Sequence, residues 1–103
     1  MSSMFVSATN FPLNMSNWDV SKVTDMHFMF MGATNFNQNI ANWDVSKVTD
    51  MHLMFMYATN FNQDLSEWNV AAVLDYDLWA LSSGMESHQD HWPPKFRGPS
   101  WAP

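Results

Sequence analysis

Histidine and aspartate give this 103-residue chain most of its scope for chemistry, and both recur at a fixed interval. His27 and His52 lie 25 residues apart, as do Asp19 and Asp44, and a second histidine pair stands in His88-Gln-Asp-His91. Metal binding is the first chemistry such residues suggest. If His27 and His52 sit on neighbouring helices, however, about 8–10 Å separates them, too far for one ion bonded at about 2.1 Å to each. Asp77 takes the corresponding place a further 25 residues on, which fits a solvated polar column. His88 and His91 would share an ion only on an ordered helical turn, and Pro93 follows closely. Asp19 and Asp44, on strands about 4.8 Å apart, should repel one another, and an oxygen-liganded cation such as calcium would relieve this. No calcium-loop spacing accompanies them. The expectation is no metal and no cofactor.

Catalysis has little support. The chain lacks a nucleophile elbow, a phosphate-binding glycine loop and an HExxH motif, and it has three glycines and no cysteine. Its serine, histidine and aspartate recur with the 25-residue period, which a fold explains without chemistry, so no catalytic residue is assigned and no enzyme is expected. Four basic against ten acidic residues give a formal charge of −6, which argues against nucleic acid and anionic membranes as partners. With 47% hydrophobic and 14% charged residues the chain should fold rather than stay disordered. It contains no apolar run of about 18 residues, hence no transmembrane segment, and its first residues do not read as a secretory signal.

The elements that position these residues follow from the period. Trp18, Trp43 and Trp68 are 25 apart, as are Phe11, Phe36 and Phe61. Residues 11–35 match 36–60 at 19 of 25 positions, whereas 61–85 match 36–60 at 8, the drift expected of a terminal capping copy. Ile40-x-x-Trp43-x-Val45-x-x-Val48 follows a leucine-rich pattern, and Trp43 and Val45 alternate as strand residues do. Met51, Met54, Phe55 and Ala58 then fall at i, i+3, i+4 and i+7, as on one face of a short helix, with Thr49-Asp50 as its N-cap. Met26, Met29, Phe30 and Ala33 repeat this after Thr24-Asp25, and Met1, Met4, Phe5 and Ala8 share the spacing. The pattern predicts an α/β fold: a short right-handed leucine-rich-repeat-type solenoid with three parallel strands and short helices on its convex side, Trp and Phe columns stacked inside. Its parts are an incomplete helical half-repeat at 1–10, repeats at 11–35 and 36–60, a divergent capping repeat at 61–81, and a Pro/Trp-rich tail at 82–103.

The string Asn42-Trp-Asp-Val-Ser-Lys-Val-Thr-Asp-Met51, with Met54-Phe55, Ala58-Thr-Asn and Phe61-Asn-Gln-Asp64, resembles the BspA-like leucine-rich-repeat surface proteins. The same strings recur at 17–26, 29–30 and 33–38 and more loosely at 68–78, so the resemblance covers residues 4–81. It implies a bacterial-type protein at the cell surface or outside the cell, whose tandem copies project an adhesive or protein-binding face. Where family helices carry small polar residues after Asp-Met, this chain has His27-Phe28 and His52-Leu53. That departure draws attention to the helical side.

Two surfaces are candidates. On the strand side Asn17, Asp19, Asn42, Asp44, Glu67 and Asn69 form a polar, acidic face. On the helical side Phe28, Leu53 and Leu78, beside Val6, Met31, Met56 and Leu81, form a second apolar stripe directed away from the core. The tail brings Trp92, Phe96 and Trp101 among helix-breaking residues, and it has three uses open to it: to cover the stripe, to cap the last rung, or to dock into another molecule. The function expected is a non-catalytic protein-interaction or adhesion module. Its alternative is a self-assembling structural subunit, a head-to-tail or lateral homo-oligomer using the stripe, the open N-terminal rung and the tail.

Overall fold

The computed structural model describes residues 2–98, and in them the 25-residue period appears as stacked rungs of chain. Met26, Phe28, Phe30 and Gly32 donate their backbone N–H groups to the carbonyls of Asp50, His52, Met54 and Met56 at 2.7–3.1 Å. Met51, Leu53, Phe55 and Tyr57 donate in the same register to Asp75, Asp77, Trp79 and Leu81, and Ser3, Phe5 and Ser7 to His27, Met29 and Met31. Each bond joins a residue to the one 24 positions later, so successive copies lie parallel and in register.

The rungs are made of turns, which overturns the α/β reading. Among the described residues there is no α-helix and no sheet: the helical elements are the 3₁₀ turns Met15–Asn17, Gln89–His91 and Pro94–Phe96, and strand pairing is confined to the parallel bridges Asp25↔Asp50 and Asp50↔Asp75. Where a helix was expected, three overlapping turns close through Met29 N–H to Met26 O, Met31 N–H to Phe28 O and Ala33 N–H to Phe30 O. The same series runs from Met51 to Ala58 and from Tyr76 to Ser83. A chain of turns closing three residues on places Met51, Met54, Phe55 and Ala58 on one side as a helix would, so the apolar spacing is common to both conformations. The backbone accounts differ: half of the N–H groups bond within the turn and half to the next rung, whereas a helix would spend them all internally and force a spacing of about 8–10 Å. Isolated helices this short are marginal in any case.

The expected strand and cap residues are likewise turn residues. Trp43 N–H bonds Ile40 O, and Val48 N–H bonds Val45 O, so the leucine-rich-like spacing marks two turn corners whose apolar residues are all buried. Asp50 does not cap a helix. Its Oδ1 accepts the N–H of His52 at 3.0 Å, a side-chain turn that Asp25 makes with His27 in the preceding copy.

Turn stacking brings equivalent side chains to close spacing. Phe5, Phe30 and Phe55 form a column with ring centroids 5.5 Å apart and planes 3° from parallel, and Phe36 stacks on Phe61 at 5.2 Å. The tryptophan column works differently from the expected ring stack. Trp43 and Trp68 send their indole N–H groups to the carbonyls of Met15 and Ile40 in the rung before, at 2.8 and 3.1 Å. The drift of the third copy has a volume logic: Trp79 and Ala80 stand where Met54 and Phe55 stand one rung earlier, and the large indole meets the Phe55 ring edge-on at 5.6 Å. Trp79 Nε1 is left buried without a hydrogen-bond partner, a cost the swap carries.

The tail caps this last rung. Trp92 and Phe96 are fully buried against Trp79 at 5.6 and 4.9 Å, and Phe96 stacks on Tyr76 at 4.3 Å. Leu65 donates its N–H to His91 O, continuing the rung-to-rung pairing into the tail. Lys95 Nζ reaches the carbonyls of Val70, Ala71 and Val73 at 3.2, 3.3 and 2.5 Å, tying the tail to the corner of the last rung. Gly84 permits the approach: a Cβ there would stand 2.6 Å from Phe61 O and 3.0 Å from Thr59 O.

Two sets of substitutions test this account. Trp43→Phe keeps the ring and loses the bond to Met15, so it should cost about 1–2 kcal/mol in urea unfolding, while Trp43→Ala should cost about 3–5 kcal/mol. Gly84→Ala should lower the melting temperature as strongly as a core truncation, since the atoms it meets are backbone and cannot swing aside.

Candidate functional site

The residues expected on a strand face, Asn17, Asp19, Asn42, Asp44, Glu67 and Asn69, are all exposed, but they stand on turns rather than strands. Two of the acids, Asp19 and Asp44, hold corners. Asp19 Oδ1 accepts the backbone N–H of Ser21 at 3.0 Å and its hydroxyl at 2.6 Å, and Asp44 makes the same pair of bonds with Ser46. Asn69 turns back onto Ala71, Asn39 onto Ala41 and Asp64 onto Ser66. The serine hydroxyls, then the serine N–H groups, hold the carboxyls of Asp19, Asp44 and Asp64 below their ordinary value. The repulsion expected between Asp19 and Asp44 is present as the weakest influence on Asp44, smaller than the bonds to Ser46.

The outward stripe is apolar and only partly exposed, and Leu81 also packs against the core. Phe28, Leu53 and Leu78 form one column, and Met31, Met56 and Leu81 form another beside the more exposed Val6. The first column sits in the left-handed region, with φ of 59° at Phe28, 57° at Leu53 and 52° at Leu78. Side chains of this size cost about 1–2 kcal/mol there relative to glycine. The second left-handed position holds Gly32 at 71°, but also Ser7, Tyr57 and Ser82. Trp92 and Phe96, expected to share this contact surface, are instead inside the end cap, and Trp101 lies outside the described residues. The stripe is therefore not where those two tail rings go.

A third arrangement borders the stripe. Asp25, Asp50 and Asp75 form one column and His27 and His52 the next, with the two imidazoles stacked at 5.0 Å and 7°. His27 Nδ1 is 2.5 Å from Asp25 Oδ1 and 3.8 Å from Asp50 Oδ2; His52 Nδ1 is 2.5 Å from Asp50 Oδ1 and 3.7 Å from Asp75 Oδ2. Phe28 meets both imidazoles edge-on, at 4.9 and 4.8 Å. Burial raises the Asp25 carboxyl, but the N–H, ring and charge of His27 together outweigh it and leave the group below its ordinary value.

Residues 1–92 match the model of a family described as Mycoplasma protein of unknown function, DUF285. The chain belongs to this family. Membership supports the repeat kinship seen in the BspA-like strings, while the leucine-rich architecture attached to that resemblance does not form here. No curated protein and no solved structure matches the chain. No helix among the described residues is long and apolar enough to cross a membrane.

For this DUF285 chain, sequence reasoning named the stripe and the polar face, and missed the Asp–His columns. The signal was available, because Asp-x-His recurs at 25–27 and 50–52 with Asp75 in register. Only the pair His27 and His52 was weighed, and a helix-to-helix spacing ruled it out. Turn stacking at backbone hydrogen-bonding distance removes that objection, since the two imidazoles lie at 5.0 Å.

The corner acids make acid sensitivity predictable. Their lowered carboxyl values mean that the folded state favours the charged form, so their contribution is present above the ordinary aspartate value and lost as pH falls through the lowered folded values. The urea midpoint should hold near neutrality and drop below about pH 4. Asp19→Asn, Asp44→Asn and Asp64→Asn combined should flatten that drop, because an amide oxygen still accepts the turn N–H without titrating, as Asn39 and Asn69 do.

Proposed function

We propose that this chain is a non-catalytic protein-binding module, presenting the Phe28, Met31, Leu53, Met56, Leu78 and Leu81 face to a basic segment with apolar side chains on another protein. One observation carries this reading: bulky apolar side chains occupy strained left-handed positions on the outside of the fold, where glycine or asparagine would relax the backbone. Each keeps part of its surface in water, and a contact made outside the chain would cover that remainder. Charge selects the partner. The chain carries a formal charge of −6, which favours a basic partner. Display at a cell surface, as BspA-like kinship implies, is part of the same proposal.

A second reading, self-association, draws support from the first rung. Met4 is 55% and Leu13 87% exposed, and among the described residues no donor bonds the carbonyls of Ser2, Met4 and Val6, which stand in register with the acceptors His27, Met29 and Met31. Because Trp92 and Phe96 close the other end, this reading pairs two first rungs rather than head with tail. Light scattering across a concentration series that shows only monomers would eliminate it.

The test of the first reading is a titration with two designed peptides of alternating leucine with lysine or with glutamate, followed by NMR. The lysine peptide should produce saturable shifts at Phe28, Leu53 and their methionine neighbours, and the glutamate peptide should not. Leu53→Asn should abolish these shifts while changing stability by less than about 1 kcal/mol, since asparagine tolerates the left-handed backbone. Saturable shifts confined to other surfaces, or none, reject the reading.

A further inference from the structure

We propose that the Asp–His columns are a pair of divalent transition-metal sites, one formed by Asp25, His27 and Asp50 and the other by Asp50, His52 and Asp75, with Asp50 as a carboxylate shared between them. In each triplet the three ligand atoms lie within 4.8 Å of one another. A tetrahedral ion bonded at about 2.0–2.1 Å sets its ligands about 3.4 Å apart. The 2.5 Å imidazole–carboxylate contacts must therefore widen by less than about 1 Å, and the 3.7 and 3.8 Å contacts must close by less than about 0.5 Å, shifts within reach of side-chain rotation.

Three features make this more than a crowd of charges. The triplets are copies of one arrangement in successive rungs, and Asp50 serves them through different oxygens: Oδ1 lies by His52 and Oδ2 by His27. The backbone beneath is fixed by the Asp25↔Asp50 and Asp50↔Asp75 bridges and by the Phe28 N–H to His52 O bond. The His27, His52 and Asp50 side chains are half-buried and Asp25 and Asp75 more exposed, so the sites are open to an ion and to the water that would complete its shell. An imidazole with two carboxylates suits zinc, cobalt or nickel, whereas calcium takes oxygen ligands. Asp77, standing where a third histidine would fall, limits the array to two sites.

The experiment uses the full chain without an affinity tag, stripped of metal, titrated with zinc by calorimetry and with cobalt by visible absorption near neutral pH. Saturable binding is expected for both ions and not for calcium, with the second equivalent weaker than the first because the two dications lie about one rung apart. Asp50→Asn retains the turn-capping oxygen and should weaken total zinc binding at least about tenfold. His27→Gln and His52→Gln should each remove one equivalent, with the metal-free melting temperature reporting that each variant folds. His88→Gln with His91→Gln should leave binding unchanged. No saturable zinc binding, binding that Asp50→Asn leaves as it was, or binding lost in the His88/His91 variant would overturn the proposal.

Discussion

The bond between a backbone N–H and the carbonyl 24 residues later is the constraint on which the rest depends. It sets the rungs at the spacing of hydrogen-bonded strands, and every other column inherits that spacing. Phenylalanine rings stack because their backbones do, and the imidazoles of His27 and His52 stack for the same reason. The bond also uses alternate N–H groups only, which leaves the others to close turns within a rung. A chain with those two demands cannot remain helical, and left-handed residues such as Phe28 and Gly32 are where the turns are reconciled with the ladder.

Polar side chains serve this scheme at the corners. Aspartate or asparagine at the first position of a turn accepts the N–H two residues on, at Asp19, Asp25, Asn39, Asp44, Asp50, Asp64, Asn69 and Asp75. Much of the acidity of the chain is therefore structural in origin. Its functional consequence arises only where corner acids meet another column, as Asp25, Asp50 and Asp75 meet the histidines. The polar face holding Asp19 and Asp44 has no such neighbour, and its carboxyls are satisfied by their own serines.

The ends of a repeating stack need separate solutions. At the last rung Trp79, Trp92 and Phe96 close the core, and Lys95 ties the tail to the carbonyls of Val70, Ala71 and Val73. The first rung has no such closure among the described residues, and its Met4 and Leu13 face outward. The two ends are thus chemically unlike: Met4, Val6 and Leu13 are exposed towards the first edge, and Tyr57 and Leu74 are exposed further along the stack.

The residues themselves determined the period, the identity of the core and the exposure of the two candidate faces. Met26, Met29, Phe30 and Ala33, with their counterparts 25 later, were legible as buried because any compact conformation of a repeated apolar pattern must cover them. Whether that pattern is wound as helix or as tandem turns was not legible, since both put i, i+3, i+4 and i+7 on one side. Only the tertiary structure decided it, through hydrogen bonds to a neighbouring copy that local propensity does not contain. The same decision governed the site. Asp25, His27, Asp50, His52 and Asp75 stand in the sequence in plain register, but their separation follows from the spacing between rungs, and that spacing is a property of how the copies pair.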